Sequence, residues 1–323
     1  MKALRRLAPL LLLFLPAAGP GGAPAASVDV EVVRSHGSWT ADFRFDRAAS
    51  AWVFARSSVT QEGATPWRAQ SWRIETPGVR LERRGRYDMI TAGGRPVPRR
   101  VRVRFTPFEA NLAADYPPAL VFTDGSVALF SEQFHAFPMA SLAEAGRLPV
   151  DLNGFHVSGR PSRVRMRDEA GPVLHEGRRT PVATIERKGG YVLFGGAQPV
   201  AGAAVTAVLD PGLPAWLRAS LAGTVREIIG RHAAALGPAP TARPMLLASW
   251  AGPTPGKISM GGSVLPGTLV MRFEGEGVLS ESEGLRHQAR WFVAHEAAHF
   301  WLGEAVRYEH SRDAWITEGG AVE

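Results

Sequence analysis

The hydrophobic pattern changes period near residue 210, and this change constrains the fold more than any other feature of the sequence. From residue 27 to about residue 207, apolar and polar residues alternate, as in residues 28–32 (VDVEV) and 101–105 (VRVRF). Period two is typical of strands with one buried and one solvated face. From Pro214 apolar residues recur at steps of three and four, the spacing of an amphipathic helix. The chain is therefore predicted to be α+β, with a β-rich region followed by a mainly helical one.

Turn residues subdivide the β-rich region. An Asp-Gly pair separates the apolar runs 119–122 and 127–130, which is typical of a hairpin. A Gly-Gly pair in the middle of residues 184–194 predicts a second hairpin. We expect residues 27–207 to form an antiparallel β sandwich or a saddle-shaped β domain that positions a neighbouring site or forms a wall beside a substrate.

Two helices are predicted after the change of period. They cover residues 214–236 and about 280–302, each ends before a glycine, and a Ser-x-x-Glu capping box opens the second. Strands are expected between them, at residues 245–248 and 268–273. His232 lies on the apolar stripe of the first helix and is interpreted as a packed histidine rather than a metal ligand.

Residues 1–26 have the layout of a secretory signal peptide. Three basic residues precede an apolar run at residues 7–15, and small residues then lead to a cleavage site near Ala25 or Ala26. The run is too short to cross a hydrocarbon core of about 30 Å as a helix. We expect an exported protein, periplasmic or extracellular, without a stable membrane anchor after cleavage. A retained N-terminal anchor is the alternative.

The composition limits which partners and which kinds of catalytic site the chain can have. The formal net charge is +7, but three of the cations lie in the first 26 residues and the others form no dense run, so no nucleic-acid partner is expected. With no cysteine, the chain has no disulfide, no thiolate zinc site and no cysteine nucleophile. Catalysis would have to use His, Glu, Asp, Ser or Tyr, or a metal with nitrogen and oxygen ligands.

The motif that carries such chemistry is HEAAH at residues 295–299. Four residues are slightly more than one helical turn, so His295 and His299 project from the same face and can bind one metal ion. Glu296 lies about 100° further around the helix, where it can reach a water without being a ligand. Imidazole ligands with an oxygen ligand suit Zn²⁺. Alternatively, the two histidines are merely buried or hydrogen-bonded.

Glu318 offers a third ligand. It follows His299 after 18 residues, and a two-helix hairpin would bring its carboxylate to the histidine pair. Three protein ligands with an open fourth position are typical of a catalytic zinc site.

These residues resemble the gluzincin metallopeptidases of the membrane alanyl aminopeptidase type, which include leukotriene A4 hydrolase. The resemblance rests on the 18-residue spacing, on FWLG at residues 300–303 and on WITEGGA at residues 315–321. It implies a thermolysin-like zinc-peptidase domain over residues 208–323. It also implies one Zn²⁺ per chain on His295, His299 and Glu318, with Glu296 as the general base that cleaves a peptide substrate.

One departure from that family concerns substrate binding. Its aminopeptidases carry G-x-M-E-N before the zinc motif, and that Glu binds the substrate amine; the nearest match here, MGGSVLPG at residues 260–267, has no acid. Gly261 and Gly262 are candidates for binding a peptide backbone along a strand edge, although a plain surface turn is equally compatible. Glu274 or Glu276 could replace the missing acid. Exopeptidase and endopeptidase action therefore both remain open.

A second departure concerns the end of the chain. In the family a Tyr well downstream stabilises the oxyanion and further helices close the domain, whereas this sequence ends five residues after Glu318. We therefore expect an incomplete catalytic domain. Tyr308 is a candidate substitute or a residue of a surface connection, and Asp313 and Glu304 are either solvated surface acids or candidates to orient a ligand imidazole. The leading hypothesis is an exported zinc metallopeptidase. The alternative is a non-catalytic secreted binding protein, and the sequence leaves the oligomeric state open.

Overall fold

A computed structural model describes residues 27–113, 115–149, 162–186, 189–202, 205–238, 243–303 and Glu318. The predicted signal peptide and residues Glu304, Tyr308 and Asp313 lie outside the described residues. No helix in the described ranges is both long enough and apolar enough to cross a membrane.

The described strands, in chain order, are β1 (Val28–Ser35), β2 (Ser38–Phe45), β3 (Ala51–Phe54), β4 (Trp72–Ile74), β5 (Arg80–Arg84), β6 (Tyr87–Thr91), β7 (Arg100–Phe105), β8 (Ala119–Val121), β9 (Val127–Phe130), β10 (Ala136–Met139), β11 (Ser162–Asp168), β12 (Val173–His175), β13 (Arg178–Thr180), β14 (Ala183–Ile185), β15 (Tyr191–Phe194), β16 (Val200–Ala201), β17 (Thr206–Leu209), β18 (Met245–Trp250), β19 (Ser259–Leu265) and β20 (Thr268–Glu274). The helices are α1 (Trp67–Ser71), α2 (Leu142–Ala145), α3 (Ala215–Leu236) and α4 (Glu283–Ala298), with short 3-10 helices at Ser131–Phe134 and Glu276–Val278.

The first 200 residues contribute three sheets. Six strands pair in the order β14-β11-β1-β2-β7-β4, four in the order β10-β3-β6-β5, and five in the order β13-β12-β15-β9-β8. The β-rich region is thus confirmed, but it is not purely antiparallel, because β1 and β11 pair in parallel. Parallel neighbours need a long crossover, and here the intervening chain supplies β2, β4 and β7 of the same sheet, all four strands of the second sheet, and β8 and β9 of the third.

Alternation along the strands separates a shared core from a charged outer face. In β7, Val101, Val103 and Phe105 are buried while the arginines between them are exposed. Outward Arg102 pairs with Asp42 of β2 at 2.7 Å. The inward residues join an aromatic core in which Trp72 contacts several rings, including Phe54 at a centroid distance of 5.3 Å. The solvent-exposed face of this sheet is therefore rich in arginine, and several of these arginines form ion pairs with acidic residues beside them.

Of the two predicted hairpins, one is confirmed and the other is wrong. β8 and β9 pair antiparallel around Gly125, whose φ of 82° suits a tight turn. Residues 184–194 form no hairpin, because β14 pairs with β11 whereas β15 pairs with β9 in another sheet. Gly189 serves close packing instead, since a Cβ there would lie 2.1 Å from Cγ of Glu132.

The fourth sheet is mixed, with strand order β16-β17-β18-β20-β19. Its central strands β17, β18 and β20 are parallel, and all six residues of β18 are buried, as expected for a strand covered on both faces. Helices α3 and α4 cover one face, and the β8–β9 sheet covers the other. The expected mainly helical domain is not confirmed in the described residues, which instead form a sheet between helices and a second sheet.

Both predicted helices are present. α3 begins after Pro214 and ends at Gly237, which has a φ of 89°. α4 begins at Glu283, and the predicted capping box at residues 280–283 is wrong, because the N-cap is Ser282, whose hydroxyl accepts the Leu285 N–H at 3.2 Å. Its regular turns end at Ala298 rather than near residue 302, so His299 is the C-cap and the chain continues in tight turns.

Asp210 connects the mixed sheet to the β8–β9 sheet. Its fully buried carboxylate accepts hydrogen bonds from the backbone N–H of Trp250 at 3.0 Å and of Gly212 at 2.8 Å. It also accepts the N–H and the hydroxyl of Thr123, in the β8–β9 turn. One side chain therefore links the mixed sheet to the β8–β9 sheet, which covers the face opposite α4.

Candidate metal centre

α4 holds the two histidines of the motif at its C-terminal end. Val293 and Ala297 are fully buried against the mixed sheet, which fixes the rotation of the helix and turns His295 and His299 outward. The two imidazole rings lie at 86° with centroids 4.9 Å apart. Their side chains are only 16% and 17% exposed, so a ligand between them would be partly shielded from water.

Glu318 lies beside this pair. Its Oε2 is 3.6 Å from Nε2 of His295 and 3.8 Å from Nε2 of His299. Donor atoms from all three residues lie within 4.8 Å of one another. In a tetrahedral zinc site with bonds of about 2.0–2.1 Å, neighbouring ligand atoms are about 3.3 Å apart. The two nitrogen–oxygen separations are close to this value, and two imidazoles with one carboxylate are a donor set that suits Zn²⁺.

The orientation of His299 also suits a metal ligand. Its Nδ1 lies 3.2 Å from the carbonyl oxygen of Leu302, which matches an N–H donor at Nδ1 and leaves Nε2 as the lone-pair donor toward Glu318. The His295 ring is stacked on the half-exposed indole of Trp291, with centroids 5.7 Å apart and planes at 19°. The His299 ring is therefore held at Nδ1, away from Nε2, and the His295 ring is held on one of its faces.

Glu296, the expected general base, points to a different face of α4. It is only 8% exposed. Burial raises the pKa of Glu296 to about 7, and the negative charge of Glu318 adds to the rise. A bound dication would oppose this rise, because it favours the carboxylate form. A carboxyl group with a pKa near neutrality can both take and release a proton.

Residues 260–265 belong to strand β19, and residues 266 and 267 form the turn that follows it, so the segment is not a plain surface turn. β19 pairs with β20, and in the described sheet it is an edge strand next to α4. The two predicted glycines have different environments. A Cβ on Gly262 would lie 2.7 Å from Cγ of Glu296 and 3.0 Å from the Phe292 ring, whereas a Cβ on Gly261 would meet nothing closer than 3.9 Å. Gly262 therefore allows Glu296 to pack against the strand.

The two acids considered as replacements for an amine-binding Glu have other positions. The Glu274 carboxylate accepts Nζ of Lys257 at 3.0 Å, Nη1 of Arg272 at 2.8 Å and the hydroxyl of Thr254 at 2.8 Å. Glu276 is exposed in the 3-10 helix beyond β20. Neither belongs to the group of donors around His295 and His299.

His232 is a packing residue, as expected. Its Nε2 lies 3.0 Å from the carbonyl oxygen of Ala294, and its ring contacts Trp301 edge-on at 5.7 Å. It thereby joins α3 to α4. Beside this contact a cleft of about 320 Å³ opens between the two helices, and Trp291 lines it.

Sequence reasoning missed Tyr116, which comes from the β-rich region. Its hydroxyl donates to the carbonyl oxygen of Val264 in β19 at 3.1 Å, across 148 residues of sequence. Burial raises the pKa of Tyr116, and the negative charge of Glu296 is among the smaller contributions to that rise. No local motif marks this residue, because the contact exists only after the sheets have packed.

Searches against protein families and curated proteins found no match. Among solved structures, an aminopeptidase N family protein from Idiomarina loihiensis matches 91% of this chain with a TM-score of 0.55 at 10% identity. The match spans 53% of that protein, so this chain covers about half of its length.

Two further structures match with TM-scores below 0.5. An M1 zinc metallopeptidase from Deinococcus radiodurans, solved with a Tyr-Ser-Ala substrate, has a TM-score of 0.39 at 16% identity, covering 91% of this chain and 68% of that one. Leukotriene A4 hydrolase from Saccharomyces cerevisiae has a TM-score of 0.43 at 14% identity, covering 92% of this chain and 47% of that one. The fold comparison therefore rests on the first match, and a shared fold alone does not establish a shared reaction.

Proposed function

We propose that the protein is an exported zinc-dependent metallopeptidase, aminopeptidase-like, that hydrolyses peptide bonds. The observation that carries this proposal is the convergence of one ring nitrogen each of His295 and His299 with a carboxylate oxygen of Glu318, all within 4.8 Å of one another and next to a buried glutamate. The fold likeness to an aminopeptidase N family protein supports it.

Within this proposal we assign each residue a role. His295, His299 and Glu318 hold one Zn²⁺, which when bound polarises a peptide carbonyl and activates a water. Glu296 accepts a proton from the attacking water and delivers it to the leaving amine nitrogen. Its burial suits this exchange, because the carboxyl pKa lies near neutrality without a metal.

The substrate is a peptide that lies along β19. An extended peptide can add to a strand edge through backbone hydrogen bonds, and Gly262 places this edge directly against Glu296. Gly261 and Gly262 therefore contribute backbone rather than side chains to substrate binding. β19 itself carries no acid, which leaves the recognition of a free amino terminus to other groups.

Zinc content and peptide hydrolysis test the proposal together. We expect one zinc per chain in protein purified without chelator. Glu296→Gln should retain zinc but lose about 10²- to 10⁴-fold in the rate of hydrolysis, as general bases typically contribute. The exposed Glu276→Gln is the matched control and should behave as wild type. Absence of stoichiometric zinc, or full activity in Glu296→Gln, would refute the proposal; zinc without hydrolysis would favour a non-catalytic binding protein.

Export is tested separately. The proposed signal peptide predicts that mature protein from the periplasm or the medium begins near Ala26 or Ser27, which N-terminal sequencing would measure. An N-terminus at Met1 in that fraction would contradict cleavage.

A further inference from the structure

The register of β19 determines which of its backbone groups face outward. Leu265 and Thr268 flank a two-residue turn and form the pair that closes the β19–β20 hairpin. In a two-residue hairpin the closing pair is hydrogen-bonded, and antiparallel pairs then alternate between bonded and non-bonded. The N–H and C=O groups of Val264, Gly262 and Met260 therefore point away from β20, toward the edge of β19 with which no described strand pairs.

One of these outward groups is already occupied. The carbonyl oxygen of Val264 accepts the Tyr116 hydroxyl at 3.1 Å. Among the described residues, the carbonyl of Gly262, two residues earlier, accepts only the hydroxyl of neighbouring Ser263 at 2.6 Å, which leaves room for a second donor. A peptide adding to β19 can thus pair at Met260 and Gly262, but it meets Tyr116 at Val264.

Tyr116 is held firmly in this position. Its backbone N–H donates to Asp115 at 2.8 Å, and the same carboxylate oxygen accepts Nη1 of Arg56 at 2.7 Å. The Arg56 guanidinium lies 5.3 Å from the centroid of the Tyr116 ring and also pairs with Glu132. The ring packs against buried Phe130 at 5.1 Å. An incoming peptide would have to break this network to displace the tyrosine.

The direction of the peptide decides which end is blocked. Antiparallel addition is the commoner pairing, and it places the amino-terminal side of the peptide toward the C-terminal end of β19. That end carries Val264 and Tyr116, whereas Gly262 lies beside Glu296. The peptide therefore has little room on the amino side of the bond that faces Glu296.

We propose that Tyr116 is a specificity-determining residue: it closes the Val264 end of β19 and restricts substrates to very few residues on the amino side of the scissile bond. This inference rests on the proposed peptidase function and assigns it to exopeptidase action. The restriction comes from a steric stop at the strand edge, which does not require an acid to bind the substrate amine.

Chromogenic anilides of increasing length test the proposal. The wild-type chain should hydrolyse alanine p-nitroanilide at least about tenfold better, in kcat/KM, than acetyl-Ala-Ala-Ala-p-nitroanilide. Tyr116→Ala should raise the ratio of long to short substrate by about tenfold, and Tyr116→Phe by less, because the ring remains. Tyr191→Phe is the matched control, since it removes a buried hydroxyl that donates to the Pro117 carbonyl at 2.7 Å, away from β19.

Amide hydrogen exchange provides a readout that does not need turnover. In Glu296→Gln, bound trialanine should protect the amides of Met260 and Gly262 but not that of Val264. In the double variant with Tyr116→Ala, protection should extend to Val264. Unchanged zinc content and an unchanged melting temperature would show that the variants remain folded.

The results separate this inference from the proposed function. Wild-type protein that cleaves the acetylated peptide as well as the single-residue anilide, or a Tyr116→Ala variant with an unaltered length preference, would overturn the inference while hydrolysis itself stands. If no substrate were hydrolysed, the proposed peptidase function would be refuted. Amide hydrogen exchange at Val264 would still show whether Tyr116 closes this end of β19. No protection anywhere in β19 would also overturn the inference.

Discussion

At the scale of single residues, two neighbouring glycines of β19 differ in how closely they approach Glu296 of α4. Successive residues of β19 point to opposite faces, so Gly262 faces α4 whereas Gly261 faces the β-rich region. Only at Gly262 would a methyl group collide with Glu296. The absence of a side chain at this position sets the distance between the strand edge and the carboxylate.

Gly262→Ala should therefore displace Glu296 without touching the proposed metal ligands. We expect the rate of peptide hydrolysis to fall by roughly 10²-fold, the size of effect that a displacement of about 1 Å can have, while zinc affinity stays unchanged. Gly261→Ala is the control and should remain close to wild type, because its Cβ has only ordinary contacts. Equal activity in the two variants would contradict the packing argument.

Glu296 should also make the stability of metal-free protein depend on pH. Its folded-state pKa of about 7 lies above the ordinary value of 4.5, so the folded state binds this proton more tightly than the unfolded state. The carboxyl therefore costs no stability below about pH 4.5, and its cost grows as the pH rises through 7. Glu296→Gln should gain free energy of unfolding relative to wild type, by up to about 3 kcal/mol at pH 8 compared with pH 4.5.

Urea unfolding in the presence of chelator, at a series of pH values, measures this difference. A difference between variant and wild type that stays constant from pH 4.5 to pH 8 would show that burial does not perturb Glu296. Added zinc should reduce the effect, because a nearby cation favours the ionised carboxylate.

At the scale of elements, α4 is held in place mainly by its apolar side. Val293 and Ala297 are completely buried against the mixed sheet. On the exposed side, Nη2 of Arg290 lies 2.6 Å from Oε1 of Glu227 in α3, but both side chains are at least 40% exposed. Exposed ion pairs contribute little because water and salt screen them, so packing decides the position of the two histidines.

Val293→Ala should lower the free energy of unfolding by about 2 kcal/mol, through lost apolar contacts and a small cavity. Glu227→Gln, which removes the ion pair with Arg290, should lower it by clearly less. Chemical denaturation of both variants compares the two contributions. A larger loss in Glu227→Gln than in Val293→Ala would reverse this ranking.

At the scale of the whole molecule, Asp210 joins the mixed sheet, on which α4 packs, to the β8–β9 sheet, next to which Tyr116 lies. A buried carboxylate is tolerated here because four donors satisfy it, two of them from Thr123 in the β8–β9 turn. A Cβ on Gly212 would lie 2.5 Å from the Thr123 side chain, so the junction is also tightly packed. Distant parts of the sequence therefore meet in a defined geometry at the candidate site.

Asp210→Asn keeps the shape of the side chain but replaces an acceptor oxygen with a donor amide. It should cost about 2–4 kcal/mol in urea unfolding, because buried N–H groups lose a charged acceptor. Asp124→Asn is the control: Asp124 is exposed and accepts the N–H of Ser126 at 2.9 Å, so its loss should be much smaller. An Asp210→Asn variant within about 0.5 kcal/mol of wild type would show that the junction does not depend on this carboxylate.

The sequence by itself determined those features whose cause is local. Alternation predicted the strands of the β-rich region, the Asp-Gly pair predicted the β8–β9 hairpin, and the i, i+4 spacing placed His295 and His299 on one face of α4. These inferences succeed because turn chemistry and helical periodicity act over a few residues. The spacing from His299 to Glu318 also pointed to a third donor, although only its position in space brings it within 4 Å of the histidines.

Only the tertiary structure decided the features that depend on distant packing. The glycine pair at Gly189 has the same local signature as a hairpin, yet it accommodates Glu132 from another strand. Tyr116 reaches Val264 across 148 residues, and no periodicity encodes that contact. The pKa of Glu296 depends on its burial next to Gly262, which requires the sheet edge and α4 to be packed together. Local patterns select elements, whereas burial and side-chain contacts between elements exist only once the layers have assembled, because they depend on the whole packed arrangement.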